Sequence, residues 1–158
     1  MLLSLAATPA CDGGPQTAPA NNLPSCTSGV VWTGGNSESP EMNPGMACIQ
    51  CHASDEGPKL SIAGTLYPTA HEPNLCDGVD VGNDARVVIT DANGTTLTLA
   101  PNQAGNFFSE ARVALPYQAK VIYMGRERMM LTKQATGDCN GCHTETGLNS
   151  APGRIVLP

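Results

Sequence analysis

Large rings are almost missing from this chain: its 158 residues include Trp 1, Tyr 3 and Phe 2, an aromatic share of 4%. Aromatic side chains usually supply much of the apolar area that a core buries, so a domain of this length must find that surface elsewhere. The shortage also argues against a sugar-binding platform, where rings stack on aromatics. Charge is thin as well, at 14% of residues, and the balance is acidic, with a net charge of −6. The 8 Lys and Arg are spread along the sequence, with Arg126 and Arg128 the nearest approach to a patch. Nucleic acid and anionic membrane surfaces demand clustered cations and are excluded as main partners. No run approaches the roughly 20 apolar residues of a membrane helix. No nucleophile with its base, phosphate-binding loop or catalytic carboxylate pair stands out.

What the chain has in excess is Gly 17, Pro 13 and Cys 7. The odd cysteine count forbids complete pairing within one chain. The first ten residues, a short apolar run ending in small side chains before Cys11, read as the remnant of a lipoprotein signal over 1–10, with Cys11 as a lipid anchor. A frayed apolar end with a stray cysteine is the alternative. Residues 11–45 hold Pro15, Pro19, Pro24, Pro40 and Pro44 among small polar residues, a linker composition that stays loose unless something pins it.

From about Leu60 the pattern turns to strands. Ile62–Tyr67 is a strand stopped by Pro68, and Arg86–Thr90 and Thr95–Leu99 flank Asp91-Ala92-Asn93-Gly94, a strong hairpin signal. Shorter strands are expected at Asn106–Ser109 and Arg112–Leu115. A second hairpin is expected where Ala119–Met124 meets Arg128–Thr132 across Gly125 and Arg126. The sequon Asn93-Gly94-Thr95 is explained by the turn. Turn signals this frequent, without helical periodicity, predict a mainly β chain: a small antiparallel β-sandwich with irregular or short-helical flanks.

Those flanks carry the chemistry. Cys48-Ile49-Gln50-Cys51-His52 and Cys139-Asn140-Gly141-Cys142-His143 are both C-x-x-C-H. Two thiols at this spacing can add across the two vinyl groups of haem, and the next residue then places an imidazole under the iron. Chance would produce one copy roughly 0.006 times in a chain of this composition. The alternatives are a zinc site built from the C-x-x-C pairs and a thioredoxin-type redox pair, which lacks its βαβ setting. The motifs divide 46–158 into a first haem segment at 46–58, a sandwich at 59–133, and a second haem segment with its tail at 134–158.

The two motifs resemble those of c-type cytochromes. The run from Ile62 to Thr132, with its Asp-Ala-Asn-Gly turn and Ala104-Gly105-Asn106-Phe107, resembles the carboxypeptidase-regulatory or transthyretin-like β-sandwich. Met42-Asn43-Pro44-Gly45, Gly137-Asp138-Cys139-Asn140 and Ala151-Pro152-Gly153-Arg154-Ile155 are similar to stretches of predicted dihaem proteins of environmental bacteria. The resemblance implies two covalently attached haems c and an extracytoplasmic compartment, periplasmic or at the cell surface.

Two irons have four axial positions and the chain has 3 histidines. His52 and His143 are the proximal ligands. His71 is the candidate distal ligand, in a loop expected to fold back toward the first haem. Met42, in a flexible segment able to drape over either haem, and Met130, nine residues before the second motif, are candidates for the fourth position. Met124, Met129 and Met130 are placed in strands, where a core role competes with ligation. Cys26 and Cys76 remain for a disulfide, which suits an oxidising compartment. The acidic stretch 77–84 lacks regular calcium-loop spacing and reads as a surface loop. The favoured function is electron transfer, with redox proteins or further copies of the chain as partners. Its rivals are a haem enzyme or sensor with one open iron position, and a binding module with tethered haem.

Overall fold

The computed structural model describes residues 24–54 and 57–158, so Cys11 and the signal remnant expected at 1–10 lie outside the described residues. One short helix, α1 (Cys48–Ser54), precedes seven strands. These are β1 (Ile62–Tyr67), β2 (Ala85–Thr90), β3 (Thr96–Leu99), β4 (Asn106–Ser109), β5 (Gln118–Tyr123), β6 (Arg126–Met129) and β7 (Ile155–Val156). They form a three-stranded sheet in the order β4-β1-β7 and a four-stranded sheet in the order β3-β2-β5-β6. Ile62, Leu66 and Phe107 of the first sheet meet Ala85, Val87, Ile89, Ala119 and Val121 of the second in one buried core. The chain is mainly β, as the turn spacing indicates. Each fully buried aliphatic or ring side chain contributes about 1.5–3 kcal/mol by leaving water.

The first hairpin forms where Asn-Gly predicts it. Thr90 pairs with Thr96, and the Asp91 carboxylate accepts from the backbone N–H groups of Asn93 and Thr95 at 2.9 Å each. In the second hairpin Tyr123 pairs with Arg126, so Met124 and Gly125 make the turn, both at positive φ. Met124 therefore belongs to no strand, and the turn lies one residue earlier than Gly125 and Arg126. Arg112–Leu115 is not a strand either. Ala114 is instead held by the first turn, its N–H donating to the Asp91 carboxylate at 3.3 Å and its carbonyl accepting from Ala92 at 2.9 Å.

The Pro-rich segment is pinned over its described part. A disulfide joins Cys26 to Cys76, as the leftover pair suggested, with Cα atoms 5.3 Å apart across 50 residues of chain. Trp32 donates its backbone N–H to the Leu75 carbonyl at 2.7 Å. Asn102 and Asn106 donate their amide groups to the Pro40 carbonyl, and Asn106 also reaches the Met42 carbonyl at 3.1 Å. Among the described residues no helix is long and apolar enough to cross a membrane.

β1 is the strand on which the rest depends. All six of its residues are buried, although side chains alternate between faces. Ile62 and Leu66 enter the core, while Thr65 and Tyr67 turn toward the segments around the two C-x-x-C-H motifs. The strand is thus covered on both sides, the condition under which period-two alternation vanishes from a sequence.

Candidate functional site

The second motif is a loop that leaves and rejoins one edge of β1. Ala63 donates its N–H to the Gly137 carbonyl at 3.0 Å and bridges Asp138 in parallel. The chain returns at β7, where Ile155 pairs with Leu66. A strand therefore follows the second motif, which does not simply trail the sandwich. Residues 139–141 form one 3-10 turn, and the Cys139 carbonyl accepts from the N–H groups of Cys142 and His143 at 3.1 and 2.8 Å. The turn can pack this tightly because β1 carries Gly64 in its interior: a Cβ there would stand 2.7 Å from Phe107 and 2.9 Å from the Cys139 Cβ.

Two residues of the second motif segment hold the first. The Asp138 carboxylate accepts from the Gln50 N–H at 2.9 Å, 88 residues away in sequence, at the start of α1. Burial pushes this carboxyl above the usual range, against the pull of the N–H groups of Gln50, Ile49, Gly141 and Cys48. A seven-residue helix is too short to stand alone, and this acceptor satisfies N–H groups at its first turn. Asn140, 2% exposed, donates to the Met46 carbonyl and to Thr65 Oγ1 at 3.0 Å each, and accepts from the Thr65 N–H at 3.0 Å. The two C-x-x-C-H motifs are thereby neighbours in space.

The histidines are oriented from behind. His143 Nδ1 donates to the Gly153 carbonyl at 2.8 Å, and His71 Nδ1 donates to the Glu145 carbonyl at 2.7 Å. A carbonyl partner requires hydrogen on Nδ1, which leaves the Nε2 lone pair for a metal. His71 therefore stands with the second motif, not the first: its partner Glu145 follows His143 by two residues, and its ring lies against Gly153. The loop after β1 goes there because Arg154 donates its backbone N–H to the Ala70 carbonyl at 2.8 Å. His52 is set differently. Its Nδ1 is buried without a hydrogen-bond partner and packs against Gly57.

Arg154 ties these parts together and is 2% exposed. Its guanidinium donates to the carbonyls of Glu72 at 2.8 Å, Gly45 at 3.1 Å and His143 at 3.3 Å, and to Asn74 Oδ1 at 2.6 Å. It also lies 5.0 Å from the centroid of the Tyr67 ring. Gly45 is required here, since it has φ +81 and a Cβ would stand 2.5 Å from the Tyr67 hydroxyl. The Glu72 carboxyl is also buried. Burial opposes its ionisation, but the N–H and hydroxyl of Thr27, the hydroxyl of Thr69 and the charge of Arg154 together hold it below its ordinary range. Asp138, Asn140 and Arg154 fall within the stretches quoted above for their resemblance, but that resemblance gives them no role, and Asn140 occupies a variable position of its motif. The further signal they carry is polarity in an unexpected place, most plainly an arginine opening the apolar run Ile155-Val156-Leu157.

The donor set of the second motif suits haem. Cys139 and Cys142 are free thiols and His143 offers Nε2. At the first motif Cys48 is free, whereas Cys51 is held in a disulfide, which must be reduced before that sulfur can form a thioether. Among the described residues the three ligand atoms that gather within 4.8 Å belong to Cys26, Glu72 and Cys76, a disulfide and a hydrogen-bonded carboxylate, and not to the motif cysteines a zinc site would use. Met130 packs against the sandwich core, and the Met42 backbone is held through its carbonyl, which accepts from Asn106 at 3.1 Å.

The thiols predict a pH response of the haem-free chain. Burial, helped by the charge of Asp138, pushes Cys48 up to about 11. Burial pushes Cys139 up to about 12 against a hydrogen bond to Tyr117. Both folded values lie above the ordinary 9.0, so the fold favours the neutral thiols. Their contribution is complete below pH 9 and is lost as pH rises through 11 and 12. Thermal melts of haem-free protein between pH 8 and 12 should show a falling Tm, and a Cys48→Ala, Cys139→Ala variant should show a shallower fall.

No family model matches the chain, and no curated protein or solved structure matches it.

Proposed function

We propose that this chain is an extracytoplasmic electron-transfer protein carrying two covalently attached haems c. The observation that carries the reading is the interlocking of two C-x-x-C-H motifs through Asp138 and Asn140, which makes neighbours of groups 88 or more residues apart. Bound haem would supply a one-electron couple at each motif. The protein's part is attachment and orientation. Cys48, Cys51, Cys139 and Cys142 hold the haems by thioethers, and His52 and His143 offer the proximal nitrogens. His71 is the distal candidate at the second motif, its ring aimed by the Glu145 carbonyl. Attachment at the first motif needs two electrons and two protons to open the Cys51 disulfide, the ordinary task of a thiol reductant. The Cys26–Cys76 disulfide supports an oxidising compartment.

The test is the mass and absorbance of full-length protein, made in a host that attaches haem to exported chains. Two added haems are expected, and one in a Cys139→Ala, Cys142→Ala variant. A purified chain without added haem overturns the reading.

A second reading, a haem enzyme or sensor, is favoured by one observation. The chain has 3 histidines for four axial positions, and Met130 packs on the core. Carbon monoxide added to the ferrous protein at neutral pH separates the two. A rapid spectral change indicates an open iron position, and its absence indicates that a group such as Met42 completes the set.

A further inference from the structure

The β5–β6 hairpin extends past the sandwich. All four residues of β6 are exposed, although successive residues point to opposite faces, so neither face of the strand is covered. β6 also pairs with β5 alone, which leaves one row of its backbone N–H and C=O groups open. Met124 in the turn is 76% exposed, and Leu131 just beyond β6 is 98% exposed. A bare edge beside exposed apolar side chains is a surface made for pairing.

Its charge selects the partner. Lys120, Arg126, Arg128 and Lys133 lie on this hairpin and its exit, half of the 8 basic residues in a chain of net charge −6. Glu127, the one acid among them, is paired with Lys120 at 2.7 Å. Arg126, Arg128 and Lys133 form no ion pair among the described residues. The complement stands elsewhere on the same molecule. Glu41, Asp77, Asp80 and Asp84 have no cation against them among the described residues, and burial followed by the charge of Glu41 pushes the Asp77 carboxyl up. Of these acids Asp77 and Asp80 border a hollow of about 390 Å³ lined by polar and apolar residues together, among them Thr27, Gln103, Val30 and Pro68. An exposed thioether such as that of Met124 suits it.

The placement of the two surfaces decides the geometry. Ala85 pairs with Tyr123, so Asp84 and Met124 stand at one end of the same sheet. Complementary surfaces side by side are satisfied reciprocally by a two-fold axis, which closes the assembly at two copies. We infer that the chain forms a two-fold dimer in which the β5–β6 hairpin of each copy lies on the acidic surface of Glu41, Asp77, Asp80 and Asp84 of the other. The inference is independent of the haem reading and stands or falls separately.

Sedimentation velocity on full-length protein tests it. At about 0.15 M salt the screening length is roughly 8 Å, which suppresses repulsion between the acidic bodies but spares pairs in contact; at 1 M it is roughly 3 Å. A doubled mass at 0.15 M that falls to the monomer mass at 1 M is expected. Arg126→Glu with Arg128→Glu should give a monomer, and so should Asp80→Lys with Asp84→Lys. Mixing the two variants should restore the doubled mass, because each hairpin then meets a surface of opposite sign. Wild-type protein that is monomeric at both salt concentrations overturns the inference. So do open-ended oligomers, and so does a dimer indifferent to both charge reversals. A mixture that stays monomeric, although each variant keeps the wild-type Tm, overturns it as well.

Discussion

Replacing Arg154 with methionine is expected to lower the unfolding free energy by about 3–5 kcal/mol, the range seen when one member of a buried ionic set is removed. The guanidinium is 2% exposed and fills four acceptors: the carbonyls of Glu72, Gly45 and His143 and the amide oxygen of Asn74. Methionine fills a similar volume and donates nothing, so those acceptors lose their donor and the buried Glu72 carboxyl loses its nearest cation. Urea denaturation should show a lower midpoint at unchanged slope. Arg154→Lys should recover little, because an ammonium cannot serve donors in four directions from one plane. Two of the four acceptors belong to His143 and to Glu72, the neighbour of His71, so the variant should also loosen both imidazoles. Under the proposed haem reading this would appear as a changed axial-ligand absorbance signature, which a purely distant loss of stability would leave alone.

Asn140→Ala is expected to cost about 2–4 kcal/mol, since an unpaired buried polar group costs roughly 1–3 kcal/mol and more than one is exposed by the change. The Thr65 N–H loses its acceptor in the middle of β1, and the Met46 carbonyl loses its donor two residues before the first motif. Thr65 Oγ1 keeps the Gly45 N–H at 3.0 Å and still donates to Asn106 at 2.7 Å, so the strand itself should survive. The separation of the motifs is the specific consequence. Cys48 Sγ, which lies 4.0 Å from the Asn140 amide nitrogen, should react faster with iodoacetamide in the haem-free variant at equal fraction folded. Asn140→Asp retains an acceptor for Thr65 but loses the donors, and should fall between wild type and alanine in that rate. A reactivity equal to wild type in both variants would show that Asn140 does not join the motifs.

The legible parts of this molecule are those ruled by neighbours in sequence. Strand β1 falls at Ile62–Tyr67 as read, stopped by a proline without an N–H to donate. Thr90 and Thr96 close around Asp91-Ala92-Asn93-Gly94 because Gly94 takes φ +79 at no steric cost and Asp91 caps the turn from within. The turn of the second hairpin lies one residue earlier than strand-forming side chains indicate, because Met124 takes a φ of 48, a conformation that side chains rarely adopt. Arg112–Leu115 has strand-forming side chains and still forms no strand, since its backbone is claimed by the first turn. Propensity is a weak guide wherever a distant partner offers the same hydrogen bond.

The sequence by itself determined the chemistry: two C-x-x-C-H motifs, three imidazoles, a leftover pair of cysteines, and a β-rich body between the motifs. These follow from residue type and spacing across a few bonds. Only the tertiary structure decided that the motifs are neighbours, that His71 faces the second of them, and that Arg154 backs both histidine segments. Each of those facts depends on β1 being covered on both faces, by the core on one side and by Thr65 and Tyr67 contacts on the other. A strand buried on both faces shows no alternation, so nothing in its pattern says what lies on its second side. The scarcity of rings ends in the same place. Three of the six rings, Tyr67, Tyr117 and Phe107, are almost wholly buried, and two of them touch the second motif segment: Tyr67 lies under Arg154, and Tyr117 donates its hydroxyl to the Thr136 carbonyl at 2.8 Å.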